Sequence, residues 1–245
     1  MTKDLESEKL KKEVIKKAKL FGADLIGFAT VERWVQNDET KPSYYPQTIF
    51  PFTKSVIVLG IQIFLPMIET TPSIIYSELY NTTNRILDDI AYKLSSYINS
   101  RGYKAVFFPR DAYGDISVLV KNPEAAFSHV IAAKYAGLGT IGYNHTLLTR
   151  EFGSRVRLVS VFTDAILPSD NMLEKELCIQ CELCKKNCPT QAFTTTDNFI
   201  ADMDKVKCAL YHEQLKKEYC YPCGICIKVC PIGNDRKQYG KNSPK

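Results

Sequence analysis

All nine cysteines of this 245-residue chain fall between Cys178 and Cys230, and none precedes them. Nothing else in the sequence constrains the fold as strongly. The first twenty residues, MTKDLESEKLKKEVIKKAKL, carry a Lys or Glu every few positions and contain no uninterrupted apolar stretch of a secretory signal. The longest apolar run, Val56 to Ile68, is broken by Gln62 and Pro66 and is too short for a membrane helix. The sequence is therefore expected to be cytoplasmic and to have no membrane partner. In a reducing compartment, clustered cysteines are expected to ligate metal and not to form disulfides.

The spacing names the metal chemistry. Cys178-x2-Cys181-x2-Cys184-x3-Cys188-Pro189 is followed by Cys220-x2-Cys223-x2-Cys226-x3-Cys230-Pro231. In such a ferredoxin-type run, three closely spaced thiolates grip one iron–sulfur cube. The fourth cysteine, before proline, ligates the other cube. The pair predicts two 4Fe–4S clusters with crossed ligation. Cys178, Cys181, Cys184 and Cys230 form one set; Cys223, Cys226 and Cys188 form the other with one further thiolate. Two cubes need eight ligands, so one of the nine cysteines is spare. Cys220 fits the simple repeat, and Cys208 in KCALYHEQL is the alternative. Four-cysteine zinc sites usually arrive as two separated CxxC pairs, which is a different pattern.

The chain divides into an α+β domain over 1–170, a cluster domain over 171–235 and a polar, flexible tail over 236–245. In the first part, Leu10, Val14, Ala18 and Phe21 share one helical face, with Gly22 as a cap. The opposing Lys11, Lys12, Lys16, Lys17 and Lys19 read as a solvated face. Strands are expected at Asp24–Ala29, Ser55–Phe64, Lys104–Phe108, Asp115–Val120, Leu147–Leu148 and Arg155–Phe162. Helices are expected at Pro72–Ser100 and Pro123–Tyr135, the latter ended by Gly137. This mixture suggests α/β/α layering.

One block goes further. His129–Asp164 contains Ala136-Gly137-Leu138-Gly139 and continues through Gly142 to Asn144. It resembles the AGLGxxGxN signature of epoxyqueuosine reductases and reductive dehalogenases. The opening KKAKLFGADLIGFA and the ending CGICIKVCP are similar to the same family. The resemblance implies a nitroreductase-like N-terminal domain holding cobalamin, fed by two 4Fe–4S clusters, and the reductive cleavage of an epoxide or a carbon–halogen bond. It places Gly137, Leu138, Gly139, Thr140, Gly142 and Asn144 at the cofactor, where glycines would let backbone approach a flat ring. Taken alone, Gly137 could simply cap a helix and Gly139 make a turn.

The departures are specific. Epoxyqueuosine reductases commonly have Trp and Lys where this chain has Thr140 and Tyr143. The family's catalytic aspartate is replaced by Lys121-Asn122-Pro123, with Glu124 as the nearest acid. Tyr143, a phenol able to deliver a proton, and Glu124 are the candidate catalytic groups. The C-terminal helical repeats that help epoxyqueuosine reductases grip tRNA are not seen, and the net charge of +5 gives little support for RNA. The expected partners are an external low-potential electron donor and a small-molecule substrate. The competing expectation is an electron carrier that reduces the corrinoid or flavin of a partner redox protein. A burial test separates the two: a deep pocket around Tyr143 favours an enzyme. His129, His145 and His212 are candidate cobalt ligands or proton donors, although a lone histidine is more often structural. Arg110 and Asp111 follow a strand end and could line a pocket, although a surface ion pair is the plainer reading. Gly137-x-Gly139-x-x-Gly142 matches a dinucleotide fingerprint but follows a helix, so the strand context is missing.

Overall fold

The computed structural model describes residues 2–110 and 114–240. Strand β1 (Leu25–Thr30) pairs with β2 (Ser55–Gln62), and β3 (Ala105–Phe108) lies at the opposite sheet edge. A short ribbon, β4 (Thr140–Ile141) with β5 (Leu147–Leu148), stands apart from the main sheet. β6 (Val156–Thr163) enters the main sheet between β2 and β3, giving the order β1-β2-β6-β3. Every pairing in it is antiparallel. Leu147–Leu148 was expected in the main sheet; two residues are too few, and they pair with β4 instead.

β2 is buried along almost its whole length because both of its faces are covered. Ile57, Leu59 and Ile61 face the helices Thr2–Phe21 and Ile74–Ser100, through Val14, Ala18, Leu87, Ile90 and Leu94. Val56 and Val58 face the other way, toward Trp34, Phe127, Ala132 and Tyr135. The result is a helix–sheet–helix sandwich. Trp34 fills that second core, with its ring edge-on to Tyr135 at 5.0 Å. Gly22 has φ of 109° and ends the first helix as expected.

Two element assignments change. Residues 115–120 were expected as a strand but form the helix Ile116–Lys121. Asp115 caps it by accepting from the Ser117 N–H at 2.9 Å. The helix packs on Lys205–Lys217, so long-range contact overrides the β-branched composition. The helix expected from Pro123 begins only at His129, capped by Ser128. Lys11 also departs from the solvated-face reading. It donates to Asp170 at 2.6 Å and to the Pro168 carbonyl at 2.8 Å, and lies over the Phe28 ring.

Beyond β6 the chain holds mostly short elements: helix Leu183–Lys186, the ribbon β7 (Phe193–Thr194) with β8 (Asp202–Met203), and helices Lys205–Lys217 and Ile225–Lys228. Of the tail expected to fray from Arg236, residues 236–239 end a 3-10 helix, Asn234–Tyr239, in which Asp235 is buried; residues 241–245 lie outside the described residues. Among the described residues no helix is long and apolar enough to cross a membrane.

Candidate metal centres and the adjoining cavity

The cysteine loops turn through backbone that few residues adopt. Gln180 and Glu182 have φ of 51° and 56°, and Gly224 has φ of 65°. Glu182 and Gly224 hold equivalent places, each opening a four-residue helix that carries the third cysteine of its run. Position 224 also needs its glycine for space, since a Cβ there would lie 2.8 Å from the Tyr76 ring.

These turns sort eight thiols into two fours. Cys178, Cys181, Cys184 and Cys230 line one small cavity with Tyr143 and Leu148. Cys188, Cys208, Cys223 and Cys226 line a second, larger one. Burial pushes the Cys184 thiol up to about 11, and its thiol neighbours are Cys230, Cys181 and Cys178. Burial likewise pushes Cys208 up to about 12, with Cys223 and Cys188 beside it. Cys226 is raised by burial and then by Cys223, Cys208, Cys184 and Cys188, so the two sets adjoin. Four thiols, half-buried to buried, line each cavity and suit an iron–sulfur cube, whose iron charge draws off their protons.

Cys220 lines neither cavity. It follows the helix Lys205–Lys217, and its thiol donates to the Glu218 carbonyl at 3.3 Å. The structure therefore brings Cys208, and not Cys220, to the second set. The repeat spacing alone favoured Cys220 because it cannot show a helix folding back over the loop.

The larger cavity has a volume of about 490 Å³, within the range of small-ligand sites. Its walls come from distant segments, including Tyr80, Phe127, Leu158, Tyr221 and Ile225. Tyr221 stacks edge-on against Tyr80 at 5.8 Å and against His212 at 5.4 Å, and Arg157 lies 4.4 Å over the Tyr80 ring. These rings give the cavity a flat, apolar flank beside the second cysteine set, a surface that suits a macrocycle.

The glycines expected at a cofactor are packed against the protein's own chain. A Cβ on Gly137 would lie 2.3 Å from the Asn171 carbonyl oxygen, and one on Gly139 would lie 2.0 Å from that of Leu148. At Gly142 the neighbour is the Leu148 side chain at 2.8 Å. What comes close is the protein's own chain. Leu138 packs in the core beneath Gly27. The Thr140 hydroxyl accepts from the Leu177 N–H at 3.0 Å and so anchors the residue before Cys178. Asn144 donates to the Cys226 carbonyl at 3.1 Å and is the one member of this group on the larger cavity wall. The block braces the cysteine loops.

Tyr143 and Glu124 also sit elsewhere. Tyr143 is 3% exposed, beneath the first cysteine set, with its hydroxyl donating to the Thr194 carbonyl at 2.9 Å. The deep pocket sought at Tyr143 lies instead on the other side of the Asn144 loop. Glu124 pairs with Lys41 at 2.7 Å and accepts from Tyr44 at 2.7 Å; its neighbours Pro123 and Ala125 line the cavity. The Lys41 and Tyr44 hydrogen bonds hold its carboxyl below the usual range.

The histidines are hydrogen-bonded. His129 joins Ser160 and the Pro109 carbonyl, both at 2.9 Å. His145 Nε2 reaches the Ala201 carbonyl at 2.7 Å. His212 accepts from the Cys223 N–H at 3.4 Å, and burial lowers its imidazole to about 4, so it is neutral. Sequence reasoning missed the aromatic flank, Thr71 and Arg157. Thr71 bonds the Cys223 carbonyl. Arg110 pairs with Asp88 on the cavity wall, and Asp111 lies outside the described residues.

Parts of the chain are similar to known proteins. Residues 177–234 match the family description "4Fe-4S dicluster domain". A tetrachloroethene reductive dehalogenase of Desulfitobacterium hafniense is 27% identical over 231 residues, covering 77% of this chain. An epoxyqueuosine reductase of Bacillus cereus is 26% identical over 228 residues, covering 86%. This chain is a relative of both groups. It carries an iron–sulfur domain of the 4Fe–4S ferredoxin type and has oxidoreductases as its relatives. It spans 39% of the dehalogenase's length and 58% of the epoxyqueuosine reductase's. In fold it superposes on a catabolic reductive dehalogenase with a TM-score of 0.70 at 22% identity, covering 89% of this chain and 31% of the other. An epoxyqueuosine reductase structure with a modified tRNA stem loop gives 0.61 at 20% identity, over 96% of this chain and 66% of that one.

Proposed function

We propose that this chain is a two-cluster, cobalamin-dependent reductase. Cys178, Cys181, Cys184 and Cys230 hold one 4Fe–4S cluster, and Cys188, Cys208, Cys223 and Cys226 hold the other. Residues 1–170 form a corrinoid-binding unit of nitroreductase-like layering, and residues 171–235 form the cluster unit. The observation that carries this reading is the division of eight thiols into two fours, one of which opens onto a ring-lined cavity. When bound there, cobalamin supplies the cobalt chemistry for reductive cleavage of a small substrate.

The chain's own residues then do four things. Ile179 and Leu183 stand exposed beside the first cysteine set, where an external donor can approach. Tyr80, Tyr221, Phe127 and Leu158 pack on the macrocycle and exclude water. Burial raises the Tyr76 phenol, so this wall group stays protonated. His129 has both ring nitrogens engaged, so it supports the wall.

The test is anaerobic purification with iron and sulfide analysis, followed by a cobalamin titration read by absorbance and EPR. About eight irons per chain and a base-off cobalt signal are expected. Eight irons without cobalamin binding would leave an electron carrier for a partner protein. An epoxyqueuosine-modified stem loop belongs among the trial substrates, because a relative of the same fold has been seen with one.

A cavity variant gives a sharper check. Leu158 lies on β6 and is 8% exposed at the cavity wall. Leu158→Trp should fill that space, abolish cobalamin binding and leave the iron content unchanged. Overpacking costs about 1–3 kcal/mol, which thermal melting would register. Unaltered cobalamin affinity would place the cofactor elsewhere.

A further inference from the structure

The most deeply buried ion pair described, Arg155 with Asp235, lies against a cysteine loop. Their side chains are 0% and 1% exposed. Arg155 Nε and Nη2 donate to the two Asp235 oxygens at 2.9 and 2.6 Å. Its Nη1 donates to the Cys230 carbonyl at 3.2 Å, and Nη2 also reaches the Ile232 carbonyl at 2.7 Å. The pair is thus oriented. Its cation faces the backbone of the Cys230 loop, and its carboxylate sits on the other edge of the guanidinium.

Fastening a loop does not require charge here. Backbone bonds from Asn234 to the Arg150 carbonyl and from Asp235 to that of Glu151 already tie the segment down. A buried ion pair can often be replaced by apolar residues without loss of stability. Reduction of a cluster adds one negative charge to a desolvated site. A fixed dipole with its positive end toward that site favours the reduced state, and low local polarity strengthens the effect.

We propose that Arg155 and Asp235 are positioning residues that set the reduction potential of the cluster held by Cys178, Cys181, Cys184 and Cys230. This rests on the reading that those four cysteines hold a cluster. Arg155 holds the carbonyls of Cys230 and Ile232, so its charge is fixed against the backbone of the ligand itself. Asp235→Asn removes the compensating charge and leaves the arginine, which stays protonated. The double variant Arg155→Met with Asp235→Leu removes both charges at similar volume.

Redox titration followed by EPR, on anaerobically purified protein, separates these cases. With Asp235→Asn, one of the two cluster midpoints should rise by at least a tenfold change in its reduction equilibrium, about 59 mV for one electron. The double variant should lower the same midpoint, with iron retained in both. Midpoints that stay put, or that move in one direction in both variants, would overturn the proposal. So would loss of that cluster's iron from both variants, which would make the pair a clasp and nothing more. Wild-type protein without iron would instead strike the underlying cluster assignment.

Discussion

Cys208→Ser is expected to remove about half of the iron and sulfide, whereas Cys220→Ser leaves both unchanged. Cys208 lies on the helix Lys205–Lys217 and lines the larger cavity with Cys188, Cys223 and Cys226. Burial alone would keep its thiol protonated, since it is pushed up to about 12. Such a group becomes a thiolate only beside a cation, and iron supplies one. Serine offers a far poorer ligand, so one of the two cubes is lost. Cys220 lines neither cavity and points its thiol at the Glu218 carbonyl. Metal analysis of the two variants, purified anaerobically in parallel, reads the difference directly. Equal losses would contradict the sorting of the thiols.

Gly153→Ala should be the most damaging substitution outside the cysteines. Gly153 ends the turn after β5 with φ of 55°, and a Cβ there would lie 1.8 Å from the Ile232 carbonyl oxygen. Left-handed backbone costs a non-glycine residue about 1–2 kcal/mol. The clash adds to this because the obstacle is backbone, two residues past Cys230. The total should reach roughly 3 kcal/mol or more. Displacing that loop also moves Cys230, so iron should fall toward half. Gly102→Ala is the matched control. It has φ of 88° with nothing within 4 Å, so only the backbone cost applies, about 1 kcal/mol. Urea denaturation of both variants, with iron assays, isolates the contribution of the clash. Similar losses in the two would show that the approach at Ile232 carries no weight.

What the sequence disclosed follows from range. Cysteine spacing is local, so the grouping of seven of the cavity-lining cysteines, with Cys230 joining the first run and Cys188 the second, was readable before any fold was known. The buried β2 strand and the long helix Ile74–Ser100 announce themselves by periodicity. The larger cavity does not, because Tyr80, Phe127, Leu158 and Tyr221 come from four separated segments. Residues 115–120 looked like a strand because the helix they pack on lies about ninety positions later. The glycines of the AGLG block signal close approach correctly. They do not say what approaches, and the partner is the chain itself. Asn144 and Thr140 were singled out for a cofactor, yet each holds a cysteine loop through one hydrogen bond.

The grouping of Cys230 with Cys178, Cys181 and Cys184 has a consequence for biogenesis. The centre whose cysteines are synthesised first depends on the cysteine synthesised last. A nascent chain that has passed Cys188 holds one complete motif but cannot close either centre correctly. A carrier delivering a preformed cube at that stage would find four cysteines of one run, including Cys188, which belongs to the other site. On the proposed ligand sets, neither cube can close until residue 230 has emerged and the Gly153 turn has received its loop. Arg155 and Asp235 meet only across that same junction, so the ion pair forms once the loop has docked.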